Sequence, residues 1–185
     1  MMAVQLKSST FQPANPQPII HIRPMRLEDL EQVHTIDRAS FSMPWPESSY
    51  RYELLENPNS RSWVAVTNAS DDNQPVTGVV VIWLIEDEAH IATIAVHPEY
   101  RGQGISRELL AFALSNVIQE GARLATLEVR ANNLIAQALY LRFRFEIVGR
   151  RPRYYRDNDE DALIMTADGL DETYLRWLVS GGWKK

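Results

Sequence analysis

Between Ile94 and Glu120 the chain passes from an apolar strand, through a loop holding two glycines, into a long amphipathic helix, and few folds accommodate that passage. Ile94-Ala95-Val96 reads as a strand segment that His97-Pro98 ends. Arg101-Gly102-Gln103-Gly104-Ile105-Ser106 then opens directly into a helix expected over Gly104 to Glu120, with Ile105, Leu109, Phe112 and Val117 on one face and Gly121 at its end. The glycines let the main chain approach a ligand closely. The helix start offers unpaired N–H groups and the positive end of the dipole, so the junction is a candidate phosphate cradle. It is not a P-loop, because the Gly-Lys-Ser/Thr ending is missing, and Arg107 stands where a dinucleotide fingerprint needs its third glycine. A tight turn with a helix cap explains the same residues as well.

The rest of the chain alternates in kind. Strands are expected at Ile19–Arg23, Ser62–Thr67, Gly78–Ile85, Ala89–Val96 and Leu124–Val129, with a closing hairpin of Phe145–Arg150 and Ala162–Thr166. Helices are expected from Glu28 through Ile36, over Glu47–Glu56, Leu134–Phe143 and Asp171–Val179, with Glu28 and Asp29 in a first helical turn. Asn68–Pro75 reads as a polar turn. The implied architecture is a mixed α/β (α+β) fold in one domain. At 185 residues the chain has room for one sizeable core. Met1–Pro18, with Pro13, Pro16 and Pro18 among polar residues, reads as a disordered tail; residues 19–168 read as the domain and 169–185 as a C-terminal helical extension.

Composition narrows the chemistry. With no cysteine, thiol nucleophiles, disulfides and iron–sulfur clusters are excluded. His21, His34, His90 and His97 show no ligand spacing, so no metal is expected. A net charge of −5 argues against wholesale attraction to DNA or an anionic membrane, and Val76–Ile85 is too short to span one. A cytoplasmic protein is expected.

Two further segments carry chemistry. Glu128 ends the run Leu124-Ala125-Thr126-Leu127-Glu128-Val129, where partial burial would suit a general base. Taken alone, a salt bridge to Arg130, two residues on and on the same strand face, is the simpler reading. In Asn133-Leu134-Ile135-Ala136-Gln137-Ala138-Leu139-Tyr140, Asn133 can cap a helix, and Ala136 with Tyr140 makes a small face beside a hydroxyl. That face suits a cofactor arm or ordinary packing against a sheet. The aromatic loop Phe41–Pro46 and the pair Tyr154-Tyr155 suit a peptide channel or plain core cover. Arg142, Arg144, Arg150, Arg151, Arg153 and Arg156 face Asp157, Asp159, Glu160 and Asp161 in sequence, which favours a solvated hairpin of paired charges over an RNA patch.

Together these segments resemble the acetyl-coenzyme-A-dependent N-acetyltransferases of the GNAT superfamily, and within it the RimI-type ribosomal-protein alanine N-acetyltransferases. The likeness rests on the Arg101–Ser106 junction, on Leu127-Glu128-Val129-Arg130-Ala131-Asn132-Asn133 followed by Ala136 and Leu139-Tyr140, on Phe41 with Pro44-Trp45, and on Arg153-Tyr154-Tyr155 with Glu160-Asp161-Ala162. It implies a mostly antiparallel central sheet flanked by helices. It implies that Arg101, Gly102, Gln103, Gly104, Ile105 and Ser106 bind the coenzyme pyrophosphate, that Ile94, Ala95 and Val96 flank its pantetheine arm, and that Asn133 and Ala136 also touch the coenzyme. It implies Glu128 as base, Tyr140 as acid, and Trp45, Tyr154 and Tyr155 as walls for the acceptor. Ser106 departs from the family's usual Gly or Ala, and Arg144 from the glycine of Tyr-x-x-x-Gly-Phe. Arginine at a left-handed helix end costs about 1 kcal/mol unless the turn differs.

Three functions fit this reading: an acetyltransferase acting on a protein N-terminus, with N-terminal alanine of a ribosomal protein as the expected acceptor; a small-amine acetyltransferase on the same fold; and a non-catalytic acyl-coenzyme-A sensor or protein-binding module. The presence of both Glu128 and Tyr140 favours an enzyme.

Overall fold

The computed structural model describes residues 20–67 and 75–184; the expected N-terminal tail and all but the last residue of the Asn68–Pro75 turn lie outside the described residues. In chain order the elements are β1 (Ile20–Pro24), α1 (Leu30–Ser40), α2 (Glu47–Leu55), β2 (Ser60–Thr67), β3 (Val76–Ile85), β4 (Glu88–Val96), α3 (Ile105–Gln119), β5 (Leu124–Arg130), α4 (Leu134–Arg142), β6 (Glu146–Tyr155), β7 (Glu160–Asp168) and α5 (Glu172–Val179). Every strand and helix expected from the sequence is present. The closing hairpin runs further than expected, to Tyr155 and from Glu160; Arg150 pairs with Asp161 across it at 2.5 Å.

The strands form one sheet in the order β1-β2-β3-β4-β5-β7-β6, antiparallel throughout except at β4–β5. β3 is buried on both faces, which is why it reads as a continuous apolar run. Val79 and Val81 join Leu30, Val33 and Ile36 of α1 and Tyr50 of α2 on one face. Val80 and Ile82 join Leu109, Leu110, Leu114 and Val117 of α3 on the other, together with Phe143, Tyr174, Leu178 and Trp183. The C-terminal helix α5 thus belongs to the same core as α3.

Gly78 sets how closely α3 lies on the sheet. A Cβ there would meet Leu109 Cδ1 at 2.9 Å and both Ile105 Cγ2 and the Ala95 carbonyl at 3.1 Å. Any larger residue would push the start of α3 outward.

Two local expectations change. Glu28 and Asp29 do not open α1. Leu27–Asp29 is a separate 3-10 turn, and the buried Asp29 accepts from Arg23 at 2.7 and 2.8 Å and from the Arg26 amide at 2.7 Å, tying the turn to β1. Arg144 keeps the left-handed conformation, at φ 63°. The Arg144 amide donates to the Leu141 carbonyl at 3.0 Å and the Phe145 amide to Tyr140 at 3.1 Å, a Schellman closure of α4. The Arg144 guanidinium lies 4.3 Å from the Trp177 ring centroid, a cation–π contact that offsets much of the conformational cost. Around it Tyr174 donates to the Phe143 carbonyl at 2.5 Å, and Trp183 stacks on Phe143 at 5.6 Å, so α5 and the chain end clasp the last turn of α4.

Candidate active site

The sheet opens at one place. β4 and β5 pair in parallel at Glu88–Leu124, Ala89–Ala125 and His90–Thr126, and the ladder stops there. On β3 the register jumps from Val81–Thr93 to Ile82–Ile91, leaving Ala92 as an unpaired bulge directly beyond the last β4–β5 rung. From that point β4 pairs only with β3, and β5 only with β7. The result is a fork along whose two inner edges the main chain has no strand partner among the described residues. His97 donates to the Thr77 carbonyl, so by antiparallel alternation Ala95 faces β3 while the amides of Ile94 and Val96 face the fork.

At the mouth of the fork lies the Arg101–Ser106 loop. Gly102 and Gly104 take φ values of 78° and 84°, conformations open to glycine at little cost. The Gly104 carbonyl accepts from Arg107 and Glu108, starting α3. Among the described residues no hydrogen bond engages the five consecutive amides of Gly102, Gln103, Gly104, Ile105 and Ser106. A Cβ on Gly102 would meet nothing within 4 Å, so the space in front of that amide is open. The Arg101 side chain serves the scaffold: Nε donates to the Val96 carbonyl at 3.0 Å and Nη2 to Ser40 Oγ at 3.0 Å, pinning the loop to the end of α1. Gln103 reaches the Glu99 carbonyl at 3.5 Å.

Glu128 lies on β5 two residues beyond the last rung, on the face away from α3, and its side chain is 15% exposed. It does not pair with Arg130. Arg151, from β6, reaches Glu128 Oε1 at 3.0 Å, and His90 Nε2 lies 3.5 Å from Oε2. Arg130 is engaged elsewhere, with Asp157 at 2.8 Å, Glu160 at 3.1 Å and Ser42 Oγ at 3.0 Å. The same-face spacing on β5 was read correctly, but longer reach from the neighbouring strands decides which charges meet.

Trp45 stacks on Trp83 at 6.3 Å, and Trp83 on His90 at 5.4 Å, so the aromatic loop ends against the site. Asp37 holds that loop: it accepts from the Trp45 amide at 2.6 Å and from the Tyr50 hydroxyl at 2.6 Å. Burial pushes the Asp37 carboxyl above its ordinary value in spite of both donors. Across the fork, Asp157 accepts from Ser42 and from Arg130, which joins the loop to the hairpin tip and holds Asp157 below the usual carboxylate range. Tyr155 sits under the Arg130 guanidinium, 3.9 Å from its ring centroid, and meets Tyr154 edge-on at 5.2 Å. Burial pushes the Tyr155 phenol up to about 12, against the opposing pull of Arg130.

Tyr140 is 6% exposed and packs on Phe145 at 5.8 Å; among the described residues its hydroxyl makes no hydrogen bond. Burial first, and the Tyr155 phenol second, raise it above the ordinary tyrosine value. Asn133 caps α4 by accepting from the Ala136 amide at 3.1 Å, and Ala136 packs half-buried against the α3 core. Sequence reasoning missed Gln137, whose amide donates to the Arg130 and Ala131 carbonyls at 3.1 and 2.9 Å and fixes the β5-to-α4 link. It also missed His90 and Arg151 as neighbours of Glu128, and Trp83 as the ring stacked on His90. Their only signal was strand position, which says nothing of who lies opposite before the register is known.

A forked sheet with unpartnered amides at its mouth and an acid on its inner strand has the parts that acyl transfer uses: donors for phosphate and oxyanion, and a proton acceptor. The model of the acetyltransferase (GNAT) family matches residues 30–145, and the chain belongs to that family. A Bacillus subtilis protein provisionally named a ribosomal protein bS18-alanine N-acetyltransferase is 42% identical over 144 residues, covering 78% of this chain and 92% of that one. The Escherichia coli protein named ribosomal protein bS18-alanine N-acetyltransferase is 30% identical over 146 residues, covering 78% and 94%. The crystal structure of the Escherichia coli ribosomal-protein-S18-alanine N-acetyltransferase superposes with a TM-score of 0.72 at 28% identity, over 81% of this chain and 94% of that one. The Ard1 structure from Thermoplasma volcanium gives 0.73 at 27%, over 82% and 99%. The protein is an N-acetyltransferase. Among its described residues no helix is long and apolar enough to cross a membrane.

Proposed function

We propose that the protein acetylates the α-amine of a protein N-terminus, with the N-terminal alanine of ribosomal protein bS18 as acceptor, in the cytoplasm. The observation that carries this reading is Glu128: a carboxylate on the inner strand of the fork, within electrostatic reach of the hairpin's Tyr155 and beside His90, on which the Trp45–Trp83 stack ends. The names of the two relatives above support the acceptor.

The donor is acetyl-coenzyme A, and the residues present suit it. The five bare amides of Gly102–Ser106 and the α3 dipole would hold the pyrophosphate, the Ser106 hydroxyl standing among them as a further donor. The Ile94 and Val96 amides, free on the fork side, would take the pantetheine arm and the developing oxyanion, with Ala95 turned to β3. The Asn133 side-chain oxygen caps α4, while its amide nitrogen has no hydrogen-bond partner among the described residues. The coenzyme supplies a thioester acyl group and a thiolate leaving group.

Glu128 accepts the proton of the incoming ammonium, and the amine lone pair becomes free to attack. An α-amine has an ordinary pKa of about 8 and lysine of about 10.4, so the neutral lysine amine lies roughly 3 kcal/mol further away. A single carboxylate therefore serves a chain end better than a lysine. Tyr140, held above its ordinary pKa, stays protonated throughout the working range. Full transfer from an ordinary phenol to a thiolate of pKa about 8.5 is uphill by about 2 kcal/mol, so the first effect of Tyr140 is a hydrogen bond to the departing sulfur. Trp45, Tyr154 and Tyr155 wall the acceptor side.

The test is a peptide bearing a free N-terminal alanine and an internal lysine, incubated with acetyl-coenzyme A and mapped by fragmentation. Acetyl on the alanine nitrogen is expected. Acetyl chiefly on the lysine, or only on free small amines offered in parallel, overturns the acceptor reading.

A further inference from the structure

We infer that His90 is the proton relay of Glu128: it takes over the proton that Glu128 removes from the acceptor amine and releases it to water. The inference rests on the reading of Glu128 as base.

The argument starts at Thr126. Its hydroxyl donates its one proton to Glu88 Oε1 at 2.8 Å. Its oxygen can then only accept from His90 Nδ1, which lies 3.1 Å away, so that nitrogen carries a hydrogen. In the neutral ring the other nitrogen, Nε2, is an acceptor, and it faces Glu128 Oε2 at 3.5 Å. Two acceptors facing each other leave a place for one proton. Arg151 holds the opposite oxygen, Oε1, at 3.0 Å, so Oε2 is the oxygen left to receive one.

The ring is set in that place by several elements. His90 and Thr126 form the last rung of the β4–β5 ladder, so the main chain fixes their separation. Trp83 stacks on the imidazole with 21° between planes, and the Trp83 indole N–H donates to Glu53 at 2.9 Å. The charged groups around the ring are Glu88 on its own strand, Glu128 on β5 and Arg151 on β6, with Glu53 of α2 behind Trp83. The His90 side chain is 26% exposed, which gives the proton a way out.

In the step itself the ammonium N–H bond breaks and an O–H bond forms at Glu128 Oε2. That proton passes to Nε2, making an imidazolium whose Nδ1–H stays on Thr126, and Glu128 is a carboxylate again. Water then removes a proton from the imidazolium. Nothing is oxidised or reduced. The direction is downhill, because an ordinary imidazole has a pKa of about 6.5 and an ordinary glutamate about 4.3. His90 acts through Glu128 and is a positioning residue, not a catalytic one.

The experiment is steady-state turnover against pH, from 5 to 9, with saturating acetyl-coenzyme A and an alanine-ended peptide. His90→Gln should lower turnover about tenfold near neutral pH, with peptide KM and coenzyme affinity changed by less than about twofold. Its pH profile should change shape on the acid side, because the imidazole no longer takes part in the proton's exit. Imidazole added to the buffer should restore His90→Ala in proportion to its concentration. Thr126→Val, close in shape, should change the profile on the same side by a smaller amount. A folded His90→Gln or Thr126→Val enzyme with the wild-type profile, beside a Glu128→Gln enzyme that has lost turnover, overturns the relay and leaves the base reading standing. Loss in His90→Gln with none in Glu128→Gln overturns both.

Discussion

The two walls of the fork are made of different materials. The β4–α3 wall is main chain: the Ile94 and Val96 amides and the five amides of Gly102–Ser106, whose positions follow from a bulge at Ala92, two left-handed glycines and the close seat of α3 on Gly78. The β5–β7–β6 wall is side chain: Glu128 between Arg151 and His90, and Arg130 holding Asp157, Glu160 and Tyr155. Main-chain walls suit an invariant ligand such as a coenzyme, since they barely depend on side-chain identity. Side-chain walls suit a variable acceptor and a titratable base.

Substitutions should therefore separate by wall. The largest effect is expected at Glu128. Glu128→Gln should lose about 10²–10⁴ in turnover, and Tyr140→Phe a loss towards the lower end of that range, both with coenzyme affinity kept by calorimetry. A Glu128→Gln enzyme of near-normal turnover under chemistry-limited conditions would mean that the carboxylate is only the ionic partner of Arg151.

Gly104→Val should act on the other wall alone. A β-branched residue at φ 84° strains the turn by about 1–2 kcal/mol, enough to move the amides and weaken coenzyme binding about tenfold or more. Calorimetry showing unchanged affinity in a folded variant would remove the cradle assignment.

Acid should loosen only the side-chain wall, and by less. Asp157 and Glu160 are both held below the ordinary carboxylate range, Asp157 chiefly by Ser42 and then Arg130, Glu160 chiefly by the Asn132 amide. Groups with depressed folded values contribute stability above the unfolded value of about 4, and that contribution is lost as pH falls through the folded values. Hydrogen exchange at the Asp157–Glu160 tip should rise below pH about 4 before it rises in α3. Equal rises in both would remove the contrast.

The smallest effect is expected at Arg144→Gly. Glycine relieves about 1 kcal/mol of left-handed strain and gives up a cation–π contact of similar size, so the thermal midpoint should move by no more than about 4 °C. A much larger drop would make the contact with Trp177 the dominant tie between α5 and α4.

Most of the fold was legible because its signals are local. The run of β3, the alternation of β5, the Asn133 cap and the glycine at the end of α3 are each readable within a few residues. The candidate coenzyme wall was legible for the same reason: amides without partners at a helix start need only the strand, two glycines and the helix, all contiguous in sequence. Glu128 was legible as a residue and illegible in its surroundings. Its partner was expected on its own strand and came instead from β4 and β6.

By itself, then, the sequence determined the order of elements, the glycine turn into α3 and the residue types available for chemistry, because each depends on near neighbours along the chain. Only the tertiary structure decided that β4 bulges at Ala92 where β5 leaves it, that Arg130 serves the hairpin tip, and that His90 and Arg151 flank Glu128. Those depend on strand register, and register is set by the packing of both sheet faces together. No stretch of the chain carries that information alone.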